Sequence, residues 1–285
     1  MVMPSRKINV PTADGLTLNI VCHGDAGGQT PMICLPGLTR NAKDFDDLAA
    51  VFSQKREIVA VDYRGRGESD YDPQWHQYIP PTYAIDVVAI MDHLDIEHAI
   101  FCGTSLGGLV TMLIAQQHSD RVQSVILNDI GPVIEQAGLT RIQRYTGKLP
   151  ACKDWSDAVA QVRAVKENFQ PELTHEHREL FAKRSFREGA EGVPVLDFDP
   201  NIGRAIREID MQLGDPWALF DHLRERPVLV LRGEHSDILS ADTVAQMSDR
   251  HEQLEHVDIP DRGHVPLLNE PVSVAAIQAF LEQQT

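Results

Sequence analysis

The stretch His98-Ala-Ile-Phe-Cys-Gly-Thr-Ser105-Leu-Gly-Gly-Leu-Val-Thr-Met-Leu-Ile-Ala115 decides how the rest of the chain reads. Its first half is a short apolar run with the length of a buried strand. Its second half stays apolar for about three further turns without proline, as a helix does. Between them, Gly103-Thr104-Ser105-Leu106-Gly107 matches G-x-S-x-G. A serine on so sharp a strand-to-helix turn is held in a strained backbone conformation, with its hydroxyl exposed at the end of the sheet. Side chains two residues to either side would collide, so both positions want glycine. The following helix points its positive N-terminal end at the same spot. The five residues in isolation also describe a glycine-rich turn with a solvated serine; the strand before and the helix after favour the strained turn.

Through this motif and the patterns around it, the chain resembles the α/β-hydrolase superfamily over about residues 16–280. The resemblance implies an α/β fold: a mostly parallel, eight-stranded sheet flanked by helices, with an inserted helical cap. It also implies a serine hydrolase.

Composition bounds the possibilities. At 285 residues the chain has ample length to bury a core without staples. Lys+Arg 26 against Asp+Glu 42 gives a net charge of −16, which argues against nucleic acid or an anionic membrane as partner. Cys22, Cys34, Cys102 and Cys152 form no C-x-x-C pair and read as reduced thiols. The N-terminal residues lack an apolar signal core and no run approaches a membrane span, so the expectation is a cytoplasmic protein.

Working outward, the pattern predicts strands at 7–10 and 16–21, joined by an Asp14-Gly15 turn, then at 31–35, 58–62, 123–127, 227–232 and 254–259. The run 62–69, Asp-Tyr-Arg-Gly-Arg-Gly-Glu-Ser, looks like the structural loop that follows the family's fourth strand. Its glycines serve the bend, and its Asp and Ser cap backbone groups. The rest of a dinucleotide fingerprint is missing, which argues against phosphate binding there. From 131 to 215 helical patterns replace strand signals, at 134–145, 155–169 and 176–186. This reads as a cap of residues 131–215, inserted after the sixth strand into a core of 1–130 and 216–285. His175 and His177 are two apart and face away from each other on a helix, so they read as a solvated helix start and not a metal pair.

A serine hydroxyl needs a base within hydrogen-bond reach, and the base needs a carboxylate to hold its tautomer. The order Ser105, Asp237, His264 is the one expected in this fold, with each residue at or just past a predicted strand end. Asp129 also ends a strand, where some family members carry their acid, and is the alternative to Asp237. By resemblance the oxyanion donors are the backbone N–H groups of Leu38 and Leu106. Pro36 stands where the family usually has a loop-organising histidine, a departure that bears on loop geometry. Glu234 and His235 read as surface residues.

The function this implies is hydrolysis of a carboxylic ester or lactone of a small, mostly apolar substrate, through an acyl-enzyme on Ser105 and without cofactor or metal. Similarity is to small esterases and enol-lactonases. One alternative is C–C bond hydrolysis of aromatic ring-cleavage products, whose glycine-rich oxyanion loop is missing here. Another, of a different class, is a non-catalytic ligand receptor on a hydrolase scaffold. Oligomeric state does not follow from the sequence.

Overall fold

The computed structural model describes residues 5–25, 27–166, 174–210 and 214–284. Six strands come first: β1 (Ser5–Pro11), β2 (Thr17–His23), β3 (Met32–Leu35), β4 (Ile58–Val61), β5 (Ala99–Thr104) and β6 (Val122–Asn128). The short β7 (Phe186–Glu188) and β8 (Pro194–Leu196) form a separate hairpin, and β9 (Val228–Gly233) and β10 (Leu254–Ile259) return to the main sheet. That sheet has eight strands in the order β1-β2-β4-β3-β5-β6-β9-β10. β1 and β2 are antiparallel to their neighbours, whereas the run from β4 to β10 is parallel. The eight strands expected from the pattern are all there; the β7–β8 hairpin was not foreseen.

The middle strands are apolar on both faces because both faces are covered. On β3, Ile33 and Leu35 join one core cluster while Met32 and Cys34 join the other; on β4, Val59 and Val61 divide in the same way from Ile58 and Ala60. This is the two-residue alternation of a strand. On the first face pack α2 (Pro80–His93), α3 (Leu106–Gln117), α8 (Pro216–Asp221) and α9 (Ala241–Arg250); on the second pack α1 (Asp46–Phe52) and α10 (Pro271–Glu282). Asn41 caps the short turn before α1 by accepting from the Lys43 N–H. The edge strand β1 is mostly exposed, as its polar sequence dictates. All four cysteines are buried and free, and no described helix is long and apolar enough to cross a membrane.

Between β6 and β9 lie α4 (Gln136–Tyr145), α5 (Trp155–Lys166), α6 (His175–Ser185) and α7 (Asn201–Glu208). The helix expected over 155–169 is described to Lys166, and Phe169 lies outside the described residues. Thr174 caps α6 through the His177 N–H, and His175 is exposed. The segment has two kinds of core. Cys152, Ala158, Val162, Phe181, Ala182 and Phe186 pack on one another as a small separate cluster. Phe198, Ile202 and Ala205 belong instead to the main core, because α7 lays its apolar side against the sheet domain.

The loop at 62–69 is built from its own polar groups. Asp62 accepts from the N–H groups of Ala42 (2.7 Å) and Glu68 (3.0 Å), and Ser69 Oγ donates to the Asp62 carbonyl (2.6 Å). Parallel strands all end on one side of the sheet, so the loops after β3, β4, β5, β6, β9 and β10 meet there.

Candidate active site

Ser105 sits between β5 and α3 with φ 51° and ψ −112°, the strained turn that the G-x-S-x-G spacing implies. The glycines have steric reasons. A Cβ on Gly103 would come within 2.5 Å of the Gly107 carbonyl carbon, and one on Gly107 within 2.1 Å of the Leu35 oxygen. The Ser105 N–H donates to the Asn128 carbonyl (3.0 Å), which ties the turn to the end of β6.

His264, in the loop after β10, bridges two groups. Its Nε2 lies 2.9 Å from Ser105 Oγ and its Nδ1 lies 2.7 Å from Asp129 Oδ2. An ionised carboxylate only accepts, so Nδ1 carries the proton and Nε2 is left to accept from the serine hydroxyl. Asp129 is fully buried. Its Oδ2 also accepts from Ser236 Oγ (2.6 Å) and its Oδ1 from the Gly233 N–H (2.8 Å), so the charge is met by three donors.

Asp237, expected from the family pattern to orient the histidine, is not at His264. Its carboxylate takes a bidentate bond from Arg141 on α4, Nε at 2.6 Å and Nη2 at 2.7 Å. The sheet explains the exchange. β6 and β9 are parallel neighbours with Asn128 opposite Leu231, so their two ends lie side by side and an acid from either could face the histidine. After Gly233 the chain turns back on itself, with the Ser236 N–H on the Gly233 carbonyl (2.9 Å). That turn presents Ser236 and the Gly233 N–H to Asp129 and sends Asp237 toward α4. The alternative acid, Asp129, is the one in contact. Glu234 and His235 are exposed.

Gly37 and Leu38 stand beside the serine: a Cβ on Gly37 would be 3.9 Å from Ser105 Cβ. The loop is held from outside. Arg66, fully buried in the loop after β4, directs Nε (2.9 Å) and Nη2 (2.8 Å) at the Leu38 carbonyl. Its Nη1 donates to the Arg64 carbonyl (2.8 Å) and the Tyr83 hydroxyl (2.9 Å), and its guanidinium lies over the Tyr83 ring, 4.6 Å from the centroid. Reading the sequence alone missed this residue; the only signal was a buried-loop motif with an arginine in it. The N–H groups of Leu38 and Leu106 donate to no other group among the described residues.

Ser105 and His264 open onto a cavity of about 160 Å³, enough for roughly ten water-sized positions. Apolar residues from the segment after β6 roof it, among them Ile142, Leu149, Val162, Val165, Phe181 and Phe186. Tyr145 lines it as well, whereas Ile134 and Leu180 from the same segment are exposed. Three arginines also line it: Arg40, Arg141 and Arg184. Burial works against charge on Arg40 and Arg141, but Asp44 and Asp237 outweigh it and hold both guanidiniums above their ordinary range. Burial pushes the Tyr145 phenol up, so it stays neutral between the two arginines. Among the described residues one group could hold a metal, Glu234, His235 and Asp261; it is fully exposed.

Residues 30–271 match the family described as alpha/beta hydrolase fold. The 3-hydroxybutyrate-oligomer hydrolase of Cupriavidus necator is 31% identical over 264 residues, 90% of each chain. The 3-oxoadipate enol-lactonase 2 of Acinetobacter baylyi is 31% identical over 126 residues, 44% of this chain and 46% of its own. The crystal structure of an alpha/beta hydrolase from Novosphingobium aromaticivorans superposes with a TM-score of 0.93 at 38% identity, over 99% of this chain and 100% of that one. The chain belongs to the α/β-hydrolase fold family and is one of its hydrolytic enzymes.

Proposed function

We propose that the protein hydrolyses a carboxylic ester or lactone of a small substrate through an acyl-enzyme on Ser105. The observation that carries this reading is the unbroken hydrogen-bond chain from Ser105 through His264 to buried Asp129, beside a cavity lined largely by apolar side chains. His264 takes the hydroxyl proton as Ser105 Oγ bonds to the carbonyl carbon. Asp129 holds the ring in the Nδ1–H tautomer and stabilises the imidazolium that forms. The negative charge on the carbonyl oxygen falls to the Leu38 and Leu106 N–H groups, with the start of α3 adding its dipole. His264 then protonates the departing alkoxide, and a water deprotonated by His264 clears the acyl group. Residues 131–215 act as a cap that encloses the acyl group.

Two relatives support the choice of bond, one named for oligomers of 3-hydroxybutyrate and one for an enol-lactone. Fluorophosphonate labelling together with p-nitrophenyl acetate turnover tests it. Label on Ser105 and loss of both signals in Ser105→Ala is the expected result. Wild-type rates in Ser105→Ala would overturn the mechanism.

A further inference from the structure

The walls of the cavity carry a charge that the rest of the molecule does not. In a chain with a net charge of −16, the fully charged side chains lining the cavity are Arg40, Arg141, Arg184 and a single carboxylate, Asp44. Each arginine has an acidic partner: Asp44, Asp237 and Asp47 respectively. In two of the three pairs the arginine lines the cavity and its carboxylate does not. Those two pairs present their positive member to the cavity, and the walls as a whole carry three arginines against one carboxylate.

Arg184 adds a second, independent observation. It is 9% exposed, its Nη2 meets Asp47 at 3.0 Å, and its buried Nε has no acceptor among the described residues. A buried charged donor without an acceptor is costly, and it leaves this guanidinium less fully satisfied by its own carboxylate than Arg40 or Arg141. Arg40 is tied through Nη1 to Ser185, the residue next to Arg184 in the chain, and through Nε to Asp44 (2.7 Å). Two guanidiniums beside one apolar cavity suit a planar, two-oxygen anion, which accepts paired N–H bonds.

We infer that Arg184 and Arg40 form a carboxylate-binding subsite, so that the substrate is an ester or lactone bearing a second, free carboxylate. This rests on the hydrolase reading above and names its substrate class. The carboxylate sits against the Arg184 and Arg40 guanidiniums with the apolar spacer between it and the scissile carbonyl at Ser105. Its attraction into the cavity also offsets the repulsion that a chain this acidic exerts on any anion.

The test compares each anionic ester with its isosteric neutral primary amide. The p-nitrophenyl half-ester of glutaric acid puts the carboxylate on the acyl side; 3-acetoxybutyrate puts it on the alcohol side. At least one of the two is expected to exceed its amide by tenfold or more in kcat/KM, and which one it is tells the side. In Arg184→Gln that ratio should fall toward one, mainly through KM, and Arg184→Lys should restore part of it. Should Arg184→Gln not fold, Arg184→Lys, which keeps the charge but loses the planar fork, must by itself lower the ratio. Ratios near one in the wild type, or a ratio that survives Arg184→Gln or, in its place, Arg184→Lys, would overturn the subsite. A protein that labels at Ser105 yet shows no preference loses this inference alone; one that neither labels nor turns over any ester loses both.

Discussion

Two aspartates compete for one histidine, and the side chain in contact decides between them. Asp129 meets His264 Nδ1 at 2.7 Å and lies fully buried, whereas Asp237 is spent on Arg141. Asp129→Asn should cut kcat by roughly 10⁴-fold, because an amide favours the wrong tautomer of the ring. Asp237→Asn should cost less than about tenfold in kcat, and a destabilisation on the order of 1–3 kcal/mol from leaving Arg141 poorly paired. Steady-state kinetics and thermal melts of the two variants, side by side, check this. The reverse ranking would return the acid to Asp237. Ser236→Ala belongs with them: removing one of three donors to Asp129 should lower kcat by a smaller factor, about tenfold, on the value of one charge-assisted hydrogen bond.

Among the elements, the loop after β3 is the one that borrows its order. Nothing inside Pro36-Gly37-Leu38 fixes the Leu38 peptide; Arg66, arriving from the loop after β4, clamps its carbonyl with two N–H groups. Pro36 stands where the family usually has a loop-organising histidine, and here the Leu38 carbonyl is held from a different loop. Arg66→Lys keeps the charge but loses the fork. Its expected signature is a fall in kcat of about 10–100-fold with a much smaller change in KM, as for a misplaced group that acts only in the transition state. A KM-dominated loss would count against the clamp. The elbow behaves differently, since its requirement is purely steric. In Gly107→Ala the new methyl would meet the Leu35 oxygen at 2.1 Å, and backbone cannot move aside as a flexible side chain can. Loss of about 3 kcal/mol or more follows, readable as a drop of roughly 5–10 °C in Tm.

At the scale of the molecule, the segment between β6 and β9 is tied to the sheet by charge as much as by apolar contact. Arg141 reaches Asp237, Arg184 reaches Asp47, and Asp197 takes both Lys43 Nζ (2.6 Å) and Asn41 Nδ2 (2.9 Å). α7 shares the main core, and α5 and α6 keep only a small cluster of their own. A cavity of about 160 Å³ then limits the acyl group. Across p-nitrophenyl esters, kcat/KM should peak at short acyl chains and fall by at least roughly tenfold beyond about eight carbons, the size at which the ligand outgrows the cavity. Undiminished rates on long-chain or polymeric esters would mean that the roof opens.

How far the sequence reached by itself follows from what kind of physics each feature rests on. The fold was legible because apolar runs of strand length, glycine-flanked Ser105 and the alternation of strand and helix are local patterns. The eight strands and the sharp turn came out as those patterns implied. Candidate positions were legible for the same reason: Ser105, Asp129, Asp237 and His264 were all visible as residues just past strand ends. Which acid turns toward the histidine was not, since β6 and β9 end side by side and a backbone turn at 233–236 makes the choice. The Arg66 clamp was hidden for a like reason, its partner lying 28 residues away in another loop. The three arginines of the cavity are drawn from three separate elements and look like ordinary surface charges until folding sets them around one space. Periodicity and sterics act between neighbours in the chain and can be read there; pairing of charges acts through space, and only the tertiary structure decides it.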